Sequence, residues 1–165
     1  MKIAVAVLAL TALAGCGGDA PPIVRTQVPP AAPPVRGTPA RPADVAVIRR
    51  WSDTLRAGDV TGAARLFHLP TLVENGTGEL ALPTTKAARQ FNAALPCGAQ
   101  LLQAKRVAGG YTIAVFRLTD RPGGDCGTGT GHQAATAFRF KNGRISEWRR
   151  VAVPTFAPAH PGRQV

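Results

Sequence analysis

Proline confines the part of this chain that can fold. Eight of its 15 prolines fall between Pro21 and Pro42, with Pro-Pro pairs at 21–22, 29–30 and 33–34. Such a segment lacks backbone donors and favours extended polyproline II, so it serves as a semi-rigid spacer and not as a core. Ahead of it, Met1-Lys2 leads into a run that is apolar from Ile3 to Ala14 except at Thr11. One positive charge followed by about a dozen apolar residues is a signal-peptide layout, too short for a membrane-spanning helix. Of the 165 residues, only 44–153 combine apolar periodicity with sparse proline, enough for one domain with a core. Residues 154–165 form a second, Pro-rich tail.

The sequence Leu13-Ala14-Gly15-Cys16 resembles the lipobox of bacterial lipoproteins. The resemblance implies removal of residues 1–15 and acylation of Cys16 (diacylglycerol and an acyl chain such as palmitate). The mature protein is then expected at the outer face of a cell membrane, with 16–43 as its tether. Each buried acyl CH₂ contributes about 0.8 kcal/mol of membrane affinity. An ordinary secretory signal with a chance cysteine, and a Pro-rich recognition peptide in place of a tether, are the competing readings.

Charge then changes meaning. The formal net charge is +11, with 20 Lys+Arg against 9 Asp+Glu. Residues 44–153 hold 15 cations and 8 anions, a net +7 scattered without a dense basic run or interleaved aromatics. Nucleic acid is therefore not an expected partner, whereas an anionic envelope or ligand is. A coiled coil is excluded by a charged fraction of only 18%. Cys97 and Cys126 form an even pair without metal-ligand spacing, which in an exported domain points to a disulfide, a reactive thiol being the alternative.

From Asp44, an expected N-cap, Ile48, Trp51, Ser52 and Leu55 recur at helical spacing up to Gly58. A second helix is predicted from Asp59 to Pro70 with Phe67 inward, then a short strand at Thr71–Asn75. A third helix is predicted over Pro83–Leu95, capped near Thr84. After Pro96 the period becomes strand-like: Leu101–Val107, Tyr111–Thr119, His132–Lys141 and Arg144–Val153. Asn142-Gly143 is a strong hairpin signal. A two-residue turn there sets Phe140 opposite Ile145, Phe138 opposite Glu147 and Thr136 opposite Arg149. One face would carry these six residues; the other would carry Ala135, Ala137, Arg139, Ser146, Trp148 and Arg150. Helices followed by an antiparallel sheet make an α+β domain.

Arg56-Ala-Gly-Asp59, Ala64-Arg-Leu-Phe67, Leu72-Val-Glu-Asn75, Ala137-Phe-Arg-Phe140 and Asn142-Gly-Arg-Ile145, in this order, are similar to the nuclear transport factor 2-like superfamily, which includes SnoaL-like cyclases and ketosteroid isomerases. The resemblance covers residues 44–153. It implies a curved sheet wrapped with helices around a conical pocket, and in many members dimerisation through the sheet. It also implies three pocket positions that perform isomerase chemistry, which fall here on Trp51, Asn75 and Thr136. Tryptophan only donates, asparagine takes no proton near neutrality and threonine is a weak donor, so that mechanism is not expected.

Glu147 and Arg149 are the remaining polar candidates for the pocket, beside Phe138. Arg149 would keep Glu147 ionised, as a structural ion pair or as a general base. Glu74 alternates away from Asn75. His68, His132 and His160 are isolated and make no metal site, and no cofactor is implied. Three functions follow: a non-catalytic module for a small, partly apolar and anionic ligand; a cyclase or isomerase using Glu147; or an envelope protein that docks or dimerises through Trp148, Ala137 and Arg150.

Overall fold

The computed structural model describes residues 33–158. The signal peptide, Cys16, most of the tether and His160 lie outside them. Helix α1 (Pro42–Arg56) starts two residues before the expected cap, with Pro42 at its first position and Arg41 as N-cap. Proline suits that position because its missing N–H would have no partner there. Asp44 sits in the first turn, where the helix dipole favours an anion, and is paired with Arg41 at 2.9 Å. Ile48, Trp51, Ser52 and Leu55 are all buried, as their spacing predicts. Gly58 ends the helix with φ +83°, a conformation that suits glycine.

Helix α2 (Val60–Ala64) is capped by Asp59, whose carboxylate accepts from Gly62 N at 2.7 Å. It does not run on to Pro70. Strand β2 (Phe67–Glu74) begins at Phe67 and carries Pro70 within it. The proline is tolerated because pairing with its neighbour is interrupted between Phe67 and Leu72, so no ladder donor is missed. A strand absent from the sequence reading, β3 (Glu79–Leu82), pairs antiparallel with β2. Helix α3 (Thr85–Ala94) is capped by Thr84 through Ala87 N at 3.2 Å.

Four long strands follow: β4 (Gly98–Arg106), β5 (Thr112–Thr119), β6 (Gln133–Lys141) and β7 (Arg144–Val151). With β1 (Thr38–Pro39), β2 and β3 they form a seven-stranded sheet in the order β1-β4-β5-β6-β7-β2-β3, open at both edges. All pairs are antiparallel except β2 with β7. The architecture is the expected α+β arrangement of helices on a curved, unclosed sheet. The last tether residues differ from a plain spacer. Thr38–Pro39 pair with β4, and Val35 N donates to Thr155 O at 2.8 Å while Ala157 N donates to Val35 O at 3.0 Å. An extended proline-containing segment matches the geometry of a sheet edge, which needs only some of its backbone donors.

The core centres on Trp51, which meets Phe116, Phe138 and Trp148 edge-on at 6.0, 5.7 and 6.3 Å between ring centroids. Loop 120–131 is held to the C-terminal end of α3 in two ways. Cys97 and Cys126 form a disulfide. Buried Arg121 donates to Leu95 O through Nε at 3.0 Å and to Ala93 O through Nη2 at 2.9 Å, satisfying carbonyls that the helix leaves open.

One residue of β7 overturns the predicted side-chain alternation. Asn142 and Gly143 adopt φ +52° and +69°, as a type I′ turn requires, and Phe140 faces Ile145. The register then shifts: Arg139 faces Glu147, Phe138 faces Trp148 and Thr136 faces Arg150. Ser146 is left over as a β-bulge, and a single inserted residue exchanges the two faces of everything beyond it. Trp148 and Arg150 therefore share the helix-covered side with Phe138 and Thr136. Glu147 and Arg149 point to the opposite side, contrary to the sequence expectation.

Candidate functional site

The sheet, α1 and the segment after α3 line a half-open cavity of about 300 Å³. Helix α1 supplies Trp51 and Leu55, β5 supplies Phe116 and Leu118, and β7 supplies Trp148 and Arg150. Strand β6 adds Ala134 to Thr136, and Asn75 follows the end of β2. Pro96, Cys97, Cys126 and Gly129 close one wall, so the disulfide is part of the cavity lining. A Cβ on Gly129 would stand 3.2 Å from Cys126 Sγ, which leaves that wall little room for a larger residue.

The structure thus brings Trp51, Asn75 and Thr136 to one cavity. Trp51 has no free donor there, since its Nε1 donates to buried Asn92 Oδ1 at 2.9 Å. Asn92 is fixed in turn by donating to Ala88 O at 2.8 Å. Asn75 is exposed at the rim, and Thr136 is buried without a hydroxyl partner among the described residues. Phe138 is fully buried behind Trp51 as packing, outside the cavity lining.

Sequence reasoning missed Trp148 and Arg150 as lining residues. The signal was the odd spacing of Ile145 and Trp148, two large apolar residues that cannot share one face of a regular strand. Both are in the core at 0% and 4% exposure, so the strand must carry a bulge between them. Arg150 is exposed at the mouth and has no carboxylate partner among the described residues. The patch expected to dock or dimerise is dispersed by the same change: Ala137 stays on the outer face, while Trp148 and Arg150 turn inward.

Glu147 and Arg149 belong to a network on the outer face. Glu147 accepts from Tyr111 Oη at 2.6 Å, from Arg139 at 3.1 Å and from Arg149 at 3.2 Å. Arg149 also reaches Glu74 at 3.3 Å and Glu79 at 2.5 Å, and Arg139 lies 4.2 Å from the centroid of the Tyr111 ring. Burial pushes the Glu147 carboxyl up, but the bonds from Tyr111 and Arg149 and the charges of Arg139 and Arg149 outweigh it and hold it below its ordinary value. The bond from Tyr111 that lowers Glu147 pushes the Tyr111 phenol up, and the bond to Glu79, then that to Glu147, raises Arg149. Glu147 is thus ionised, as expected beside Arg149, but away from the cavity mouth.

His68 lies within β2, and His132 is exposed just before β6. Among the described residues no three His, Cys, Asp or Glu side chains gather as a metal would require, and no helix is long and apolar enough to cross a membrane.

No protein-family profile matches the sequence, and no curated protein matches it. Among solved structures, a nuclear transport factor 2-like protein of unknown function from Cytophaga hutchinsonii aligns with a TM-score of 0.51 at 7% identity, covering 69% of this chain and 93% of that one. A Sinorhizobium meliloti protein, whose name relates it to polyketide cyclases, aligns at 0.50 with 17% identity, over 64% of this chain and 94% of its own. A cystatin-fold protein from Novosphingobium aromaticivorans aligns at 0.50 with 15% identity, over 66% and 97%. At these identities the likeness establishes the fold alone, a nuclear transport factor 2-like cone over about two thirds of the chain.

Proposed function

We propose that this chain is an exported lipoprotein, anchored through Cys16, whose domain is a non-catalytic module that binds a small, partly apolar ligand in the cone. The observation that carries this reading is the composition of the cavity wall. Its described lining is apolar apart from Asn75, Thr136 and Arg150, and Arg150 is its one ionisable side chain, the two cysteines being joined. A proton-transferring isomerase or cyclase needs a group that gives and takes a proton near neutrality, and a guanidinium does not. Glu147, the one carboxylate nominated as a base, is committed to three donors on the other face. Leu13-Ala14-Gly15-Cys16 supports the anchor.

Two measurements test the reading. Intact mass of protein from native membranes should show cleavage before Cys16 and added acyl mass, lost in Cys16→Ser; an unmodified cysteine would refute the anchor. Thr136→Phe should fill the cavity and abolish binding of small apolar probes while the fold persists by circular dichroism. Unchanged probe binding in that variant would place the ligand elsewhere.

A further inference from the structure

The cavity offers one charge and an apolar wall that includes three aromatic residues. Trp51, Phe116 and Trp148, packed edge-on, contribute to an apolar wall, and a volume of about 300 Å³ holds roughly ten non-hydrogen atoms if each takes about the 30 Å³ of a water molecule. Arg150 stands at the mouth opposite Thr136, and it also lines a shallower groove with His132 and Gln133. No Asp or Glu lines either hollow among the described residues. Its neighbour Arg149 provides the contrast, because that guanidinium is shared among Glu74, Glu79 and Glu147. Thr136 adds a hydroxyl without a partner among the described residues, and Trp148 Nε1 is a buried donor without one. Arg150 and the Trp148 indole can only donate and Thr136 can do so too, so the complementary ligand accepts.

We infer that the cavity recognises a compact monocarboxylate of about ten non-hydrogen atoms, its aromatic or alicyclic body against the wall that Trp51 and Trp148 form together and its carboxylate on Arg150 at the mouth. This rests on the reading of the cavity as a ligand site. A planar guanidinium meets a carboxylate with two parallel hydrogen bonds. A phosphate-type dianion would call for more cations than the single one here.

The chain has two tryptophans, and both stand in the wall, so intrinsic fluorescence reports occupancy directly. The full-length protein in detergent is titrated with cinnamate, cinnamamide and phenylphosphonate, alone and as Arg150→Gln and Arg117→Gln. The expected result is saturable quenching by cinnamate about five- to tenfold tighter than by the amide, a preference erased in Arg150→Gln and kept in Arg117→Gln, an exposed arginine of β5. Equal affinity for acid and amide in the wild type would overturn the carboxylate assignment while leaving a neutral ligand in the cavity. Tighter binding of the phosphonate would overturn it in favour of a dianion. A preference that survives in Arg150→Gln would move the charge contact elsewhere. If no probe quenches, both this inference and the cavity reading fall.

Discussion

The two faces of β7 treat the same kinds of side chain in opposite ways. On the outer face, Glu147 and Arg149 are enmeshed with Tyr111, Arg139, Glu74 and Glu79, so their charges are spent on one another. On the inner face, Thr136 is buried in an apolar wall and Arg150 is exposed at its mouth, both without partners among the described residues. A carboxylate flanked by arginines suggests chemistry when read in sequence. In space that satisfaction marks a structural group, and the unsatisfied neighbours mark the site.

The most drastic way to break this division is to place a charge on the inner face by Trp148→Glu. Trp148 packs edge-on against Trp51 and Phe91, so the new carboxylate would be buried without a partner. We expect a loss above about 4 kcal/mol and no cooperative thermal transition, the scale of the most damaging single changes. A variant that melts like the wild type would show that the strand can shift to turn position 148 outward.

Opening the disulfide should come next. It closes a loop of 29 residues in sequence separation, worth about 3–4 kcal/mol in the chain-entropy model. Because Cys97 and Cys126 also line the cavity, the Cys97→Ser/Cys126→Ser double variant should lower Tm and weaken probe binding together. Lower Tm with unchanged binding would separate the wall from the site.

The smallest effect should come from the outer face. Glu147→Gln should cost about 1 kcal/mol near neutral pH and leave ligand affinity unchanged, since the pairs it breaks are partly exposed. Its pH dependence follows from the sign of the shift. The folded carboxyl titrates below its ordinary value of 4.5, so its stabilisation is complete above the unfolded value and is lost as pH falls through the lower folded one. Denaturant midpoints of wild type and Glu147→Gln should therefore converge as pH drops from about 5 towards 3. A gap that widens on acidification would contradict the assignment.

Local signals were legible in the sequence wherever one segment decides its own geometry. Thr84 caps α3 through Ala87 N, Asn142-Gly143 makes the turn, and Ile48, Trp51, Ser52 and Leu55 all face the core. Signals that depend on a distant partner were not. Pro70 looks like a helix stop until β7 is seen to leave a gap in its pairing at that point. Glu79–Leu82 is too short to show a period, and Leu80 remains 58% exposed, so only pairing with β2 makes it a strand.

By itself the sequence determined a Pro-rich entry segment, helices α1 and α3, the caps at Asp59 and Thr84, four strands, one hairpin and the α+β class, because these follow from covalent geometry and local periodicity. Which polar residues reach the cavity was decided only by the tertiary structure. A side chain's face depends on register, and the register of β7 was set by burying Trp148 beside Phe138, at the expense of one unpaired serine.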